Sequence, residues 1–339
     1  MSHGDDLYNF DFDFRANFSS NVWHDGTHQA LVAALQNVLG NLQSYPAPDA
    51  QSLTSQIALH HHIESENVVV TNGAVEAFYL IAHAFRNSSA TIYFPTFSEY
   101  EAACESHAIK INHMPRHKLS TSGITSTLAF ICNPNNPDGL VTTRAELDRL
   151  VSCHPDTVFV IDEAYGDFVM GDSPSCVDMI GVHDNVIIVK SLTKLFAIPG
   201  LRLGYMLCSP AMQQKILACK MPWNVNQMAI EAGKFIFDSY TDIKPDLSAI
   251  MELSHKLQKE LGQIEELEVL PSSTHYFLIK LKKPLASDLK QYLAHEHRLL
   301  VRDASNFHGL DQHYIRISPQ TEEKNLLLVN ALKTWSKSI

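Results

Sequence analysis

Six short runs of apolar, largely β-branched residues punctuate the chain, and helical patterns stand between most of them. The runs are Asn67–Thr71, Thr91–Phe94, Leu128–Cys132, Val158–Asp162, Val186–Lys190 and Leu203–Leu207. They are apolar almost throughout, so they read as strands buried on both faces, the arrangement of a sheet covered by helices on two sides. Helical patterns occupy Ala74–Arg86, Ser98–His107 and Thr143–Cys153. The alternation predicts an α/β domain with a mostly parallel central sheet flanked by helices.

The pattern changes after about Tyr240. A long helical stretch, Leu247–Leu261, leads to a strand-like Tyr276–Lys280 and a helix near Ala286–His295. Strands near Leu299–Arg302 and Tyr314–Ile317 and a last helix near Glu322–Ser336 follow. This order of elements predicts a smaller α+β domain. We therefore expect a large domain over residues 42–245. Residues 246–339 form the small domain, together with the N-terminal segment 1–41, which joins it or crosses to a partner subunit. A chain of 339 residues exceeds what one hydrophobic core usually serves, which suits the division.

Composition narrows the function. The formal net charge of −11 argues against nucleic acid as a main partner, because phosphate backbones select basic surfaces. Small anionic ligands stay open, since a local cluster of arginines can outweigh the global sign. The six cysteines form no CxxC pair and read as reduced thiols. The start, MSHGDDLYNFDFDF, is acidic and has no apolar signal core, and no apolar run reaches the roughly 18 residues of a membrane helix. A cytoplasmic protein without membrane contact is expected. Of the 18 histidines, His60, His61 and His62 are consecutive, so their side chains splay rather than converge, and no metal site is expected.

The chemistry gathers at strand ends. Ser191-Leu-Thr193-Lys194 directly follows a buried run, and Arg202 comes eight residues after the lysine. A lysine amine is a nucleophile near neutral pH only when it is desolvated or lies beside another cation. Ser191 and Thr193 offer hydroxyls to a phosphate, and Arg202 offers a bidentate, charge-assisted contact. Thr71-Asn72-Gly73-Ala74-Val75-Glu76 closes a strand and opens a helix. The N–H groups of Gly73, Ala74 and Val75 would then meet an anion at the positive end of a helix dipole. Asn133-Pro134-Asn135-Asn136-Pro137-Asp138-Gly139 can run on neither as strand nor as helix. Asp162-Glu163-Ala164-Tyr165 ends another strand. An acidic pair there also suits Mg²⁺ in an ATPase, but no Walker loop accompanies it.

Together these motifs resemble the class I/II aminotransferase family, the pyridoxal 5′-phosphate (PLP) enzymes of fold type I, in the right order over nearly the whole chain. The stretch around Lys194 and Met221-Pro-Trp223-Asn-Val-Asn226 is similar to the L-threonine-O-3-phosphate decarboxylases of cobalamin biosynthesis, close relatives of the histidinol-phosphate aminotransferases. The resemblance implies that Lys194 forms a Schiff base with PLP and that Gly73, Ala74, Val75, Ser191, Thr193 and Arg202 hold its phosphate. Asp162 then faces the pyridine nitrogen, Asn136 and Tyr165 the 3′-oxygen, and Phe97 a ring face. Asp138 stands where the family usually has Thr. Tyr45, in Ser44-Tyr45-Pro46, matches the tyrosine that reaches the neighbouring subunit's cofactor phosphate, so a homodimer with the active site at the interface is expected. Asn21 matches a pocket-lining segment. Arg316 matches the arginine that clamps the substrate carboxylate or its equivalent, and Arg302 matches one that helps hold a distal phosphate. His3-Gly4 resembles the start of a glycine-rich element of the decarboxylases, with Asp5 in place of its second Gly.

The implied substrate is a small phosphorylated amino acid or amine. Which substrate bond breaks depends on how the anchors orient it. The Lys194 and Trp223 stretches and the NFHGLDQHYIR segment lean toward a threonine-phosphate decarboxylase. Tyr165 leans toward a histidinol-phosphate aminotransferase, because the decarboxylases are associated with phenylalanine there. A non-catalytic module of the same fold is the remote alternative. Lys194 and the lack of a basic DNA-binding arm speak against it.

Overall fold

The computed structural model describes residues 4–119, 123–170 and 175–338. A short strand, β1 (Ala16–Asn17), precedes a large sheet built from β2 (Val68–Thr71), β3 (Ser89–Phe94), β4 (Lys110–Pro115), β5 (Leu128–Cys132), β6 (Val158–Asp162), β7 (Val186–Ser191) and β8 (Gly204–Cys208). Its order is β2-β8-β7-β6-β5-β3-β4. Every neighbouring pair is parallel except those of β8, which runs antiparallel to both β2 and β7.

Successive side chains of a strand point to opposite faces. In β7, Val186 and Ile188 enter one core cluster while Ile187 and Val189 enter another. The first cluster also takes Leu53, Ala229 and Ile230, and the second takes Phe78, Ile81 and Tyr100. Helices thus cover both faces, which accounts for strands that are apolar throughout. The strand β4 was not anticipated. It lies at the sheet edge and is half-exposed, so its apolar content is low. The helix Arg144–Cys153 starts where expected, on a capping box in which Thr143 and Glu146 exchange hydrogen bonds.

The smaller sheet combines β9 (Leu267–Val269), β10 (Phe277–Leu281), β12 (Arg302–Asp303) and β13 (Tyr314–Ile317) in the order β12-β13-β10-β9, all antiparallel. The strand β11 (Leu299–Leu300) pairs with β1 instead. The expected single strand over 299–302 is therefore two, because the chain changes partners at Val301. Helices Leu247–Leu261, Ala286–His297 and Glu322–Ser336 accompany this sheet, and together they bury a third cluster around Leu257, Phe277, Leu289 and Leu328. The N-terminal segment serves both units. Its β1 belongs to the small one, whereas helix Gln29–Val38 places Leu31 in the large core. A buried ion pair between Lys290 and Asp6, 2.5 Å, fastens the start of the described chain to helix Ala286–His297.

One rung of the large sheet arranges the site. Gly204, which opens β8, is opposite Thr71 on one side and Ser191 on the other. The turns that follow β2 and β7 therefore emerge together. A Cβ at position 204 would sit 2.7–2.9 Å from backbone atoms of Gly73, Ala74 and Lys190, so only glycine allows this approach.

Candidate active site

A cavity at these strand ends is lined by Ala74, Val75, Phe97, Asn136, Asp162, Tyr165, Ser191, Thr193, Lys194 and Arg202, with Phe78, Cys132 and Ala164. All but the last three are residues singled out from the sequence. The turn before helix Gly73–Ala84 puts Gly73 at φ +81°, where a Cβ would lie 2.5 Å from Nη2 of Arg202. Arg202 itself has φ +56°, and its Nη1 donates to the carbonyl of Pro199 at 3.0 Å. The hydroxyls of Ser191 and Thr193 are 2.8 Å apart. Helix N-terminus, guanidinium and hydroxyls thus converge on one spot, a constellation suited to phosphate.

Lys194 sits between cations. Burial, followed by the charges of Arg202 and Arg316, pulls its amine down to about 8. Asp162, at the end of β6, is 4 % exposed. Burial raises its carboxyl to about 6 against the pull of hydrogen bonds from Tyr100 and Ala164. Burial likewise pushes the Tyr165 hydroxyl up to about 12, so it remains a neutral donor.

Arg316, on β13, reaches across from the small sheet. Its Nη1 donates to Asn136 Oδ1 at 2.5 Å and its Nη2 to the Ser19 carbonyl at 2.7 Å. Arg302 is its register partner on β12 and is buried, with Nη2 donating to Asn306 Oδ1 at 2.7 Å. Burial and then the Arg316 charge lower Arg302 to about 10. Among the described residues no carboxylate forms an ion pair with Lys194, Arg202 or Arg316. Among the described residues Nε of Arg316 is buried without a hydrogen-bond partner, and Asn21 is buried beside Tyr165. A buried donor such as this Nε is costly to leave unpaired and fits an anionic, hydrogen-bonding ligand.

Tyr45 is not brought to this cavity within the chain. Its side chain is 88 % exposed and its ring packs on Trp223, 5.7 Å between centroids. His3 lies outside the described residues. The departure at Asp138 has a structural account: Oδ1 accepts from Asn135 Nδ2 at 2.8 Å and from the Leu140 amide at 3.0 Å, closing the turn.

Three features were not anticipated. Tyr100 donates to Asp162 Oδ2 at 2.5 Å. It lies in the first turn of helix Glu99–Ser106, three residues after Phe97, and the two rings meet edge to face 5.7 Å apart. Behind the site, Lys190 forms a buried ion pair with Glu163 at 2.8 Å. Away from it, Glu101, His113 and His308 bring possible ligand atoms within 4.8 Å of one another. The two imidazoles stack with centroids 4.1 Å apart and planes 3° apart, so no point lies in both ring planes and their in-plane lone pairs cannot meet at one ion.

A family model described as aminotransferase class I and II matches residues 15–332. The chain belongs to the class I and II aminotransferase family. The L-threonine-O-3-phosphate decarboxylase structure from Porphyromonas gingivalis is 36% identical, with a TM-score of 0.92 over 95% of this chain and 99% of that one. The threonine-phosphate decarboxylase of Salmonella typhimurium is 28% identical over 93% of this chain and 90% of its own length. The histidinol-phosphate aminotransferase of a Thermoanaerobacter species is 31% identical over 90% of this chain and 88% of its own. The fold is accordingly PLP fold type I, with the mixed central sheet and flanking helices described above. This family of aminotransferases consists of PLP-dependent enzymes, and its relatives here include both decarboxylases and transaminases.

Proposed function

We propose that this chain binds PLP at Lys194 and acts on a small phosphorylated amino acid, releasing CO₂ as a threonine-phosphate decarboxylase does. The observation that carries the cofactor reading is a desolvated lysine beside Arg202 and Arg316 that forms no ion pair with a carboxylate among the described residues, in a cavity shared with the buried Asp162. The charge of that cavity suits a phosphorylated aldehyde, and its hydroxyls and helix N-terminus suit the phosphate.

Bound there, the cofactor supplies an electron sink for negative charge at the substrate α-carbon. The chain's residues do the rest. Ser191, Thr193, Arg202 and the amides of Gly73–Val75 hold the phosphate. Asp162 keeps a proton on the ring nitrogen, and Asn136 and Tyr165 hydrogen-bond the 3′-oxygen. Phe97 covers one ring face and excludes water. The Lys194 amine, titrating near 8, holds or moves a proton at its Nζ. Arg316, with Asn21 beside it, grips a substrate anion, and Arg302 supports a second one. The 36% identical decarboxylase favours CO₂ release. Tyr165 favours the second reading, transamination of a histidinol-phosphate-like amine.

Two experiments decide. The purified protein with added PLP should show a visible absorbance band that Lys194→Ala abolishes, and no band at all would sink the cofactor reading. The loaded enzyme should release CO₂ from O-phospho-L-threonine without a 2-oxo acid. Glutamate formation from histidinol phosphate and 2-oxoglutarate, with no CO₂ release, would establish the transaminase instead. We further propose a homodimer in which Tyr45 meets the partner's phosphate site, supported by its exposure beside half-exposed Trp223. Light scattering on the purified protein checks the stoichiometry, and a monomer would overturn it.

A further inference from the structure

Among the described residues Asp162 has two close hydrogen-bond donors, and a weak third in the Cys132 thiol, 4.0 Å from Oδ2. The amide of Ala164 serves Oδ1 at 2.9 Å, and the Tyr100 hydroxyl serves Oδ2 at 2.5 Å. The Tyr100 side chain is fully buried and does not line the cavity. Its ring stands edge-on to Phe78, 4.8 Å and 85°, and lies flat on Phe130, 5.3 Å and 17°. Packing on these rings and on Phe97 holds the hydroxyl beside the Asp162 carboxylate and the Cys132 thiol. A bond of this length to a carboxylate is in the charge-assisted class. Burial works in the opposite sense, since a desolvated carboxyl prefers to be neutral.

We propose that Tyr100 is a positioning residue for the PLP chemistry: its hydroxyl fixes the rotamer of Asp162 and keeps that carboxylate anionic, so that Asp162 can hold a proton on the cofactor's ring nitrogen. The inference rests on the proposed cofactor reading and extends it to a residue outside the cavity. Burial of the phenol holds Tyr100 well above its usual range, so it donates and does not ionise. Without this donor Asp162 would be the stronger base, and a proton that it shares with a ring nitrogen bound there would lie closer to the carboxylate. The ring nitrogen itself therefore reports the effect, independently of turnover.

The test loads the wild type and variants with PLP labelled with ¹⁵N in the ring and records the nitrogen resonance and the cofactor Kd. The wild type should give the protonated position and Asp162→Asn the neutral one. Tyr100→Phe should move measurably toward neutral and weaken PLP about tenfold to a hundredfold, the equivalent of one charge-assisted hydrogen bond. Ile187→Val thins the same core cluster and leaves the rings packed on Tyr100 in place, so it should lower Tm and leave the resonance unmoved. A Tyr100→Phe protein with wild-type resonance and Kd overturns the role, as does an Ile187→Val protein that shifts equally. If Tyr100→Phe does not fold, 3,5-difluorotyrosine placed at 100, a stronger donor of the same shape, decides: tighter PLP supports the role, and equal or weaker PLP overturns it. A wild type that takes up no PLP overturns the cofactor reading and this role with it. Uptake with a ring nitrogen indifferent to Tyr100 overturns this role alone.

Discussion

Replacing Lys190 by Met while leaving Glu163 in place strips the counter-charge from a carboxylate whose side chain has no exposed surface. In the wild type, burial pulls the Lys190 ammonium down, but Glu163 and Asp167 more than offset this and hold it above its ordinary range. Glu163 is also tied to the amide of Cys176 at 2.6 Å and the hydroxyl of Ser175 at 2.9 Å, so it cannot swing to solvent. Removing one member of a buried pair costs about 3–5 kcal/mol. Set against a total stability of about 5–15 kcal/mol, that is a large fraction. The double variant Lys190→Met/Glu163→Gln keeps an acceptor for the Cys176 amide, presents an N–H that the Ser175 hydroxyl can accept, and buries no charge. It should return to within about 1–2 kcal/mol of the wild type. Urea unfolding followed by circular dichroism, with slopes compared across the three proteins, measures both values. A single-variant loss under about 1 kcal/mol, or a double variant as unstable as the single, would refute the reasoning.

Arg316→Ala should weaken substrate binding about tenfold to a hundredfold while PLP retention changes far less. Equal loss of both, seen in parallel titrations, would show that the arginine is misplaced as a substrate anchor. Capture of PLP by the apo protein should speed up as pH rises through about 8, because Lys194 is a free amine only above that value. A rate independent of pH between 6.5 and 9 (stopped-flow absorbance, ~0.5-unit steps) contradicts this. Gly73→Ala forces a side chain onto φ +81° and to 2.5 Å from Arg202 Nη2. It should cost about 1–2 kcal/mol in backbone strain and, by displacing the guanidinium, at least about tenfold in PLP affinity. Unchanged affinity in a cofactor titration would mean that Arg202 is not part of the phosphate site.

The large sheet was legible because its strands are buried on both faces, so their apolar runs stand out whatever their partners. The strand Lys110–Pro115 was not, since a half-exposed edge lets polar Asn112 and His113 occupy a strand. The partner change at Val301 was also hidden. Leu299, Leu300 and Arg302 look like one strand until β1 arrives from the far end of the chain to take the first two. In the site, the residues on continuous motifs at strand ends were readable, because the turn that follows a strand fixes where they emerge. Tyr100 and Lys190 were not, because each acts through a contact between elements distant in sequence and looks like an ordinary core residue or an odd strand lysine. Tyr45 shows the complementary limit: its proposed partner belongs to another copy of the chain.

The rung through Gly204 has a consequence for how the molecule opens. It joins the last residues of β2 and β7 to the first of β8, and the turns that hold Gly73, Lys194 and Arg202 all spring from it. A ligand bridging those turns acts as a clasp across three strands. Its binding free energy then goes into cooperativity, so that no one of the three frays alone while the clasp is shut. Amide hydrogen exchange at 69–71, 189–191 and 204–206 should slow in step as the site fills, while the edge strand Lys110–Pro115 keeps its own rate. Release of the ligand and the loosening of these three strands are, on this architecture, one event.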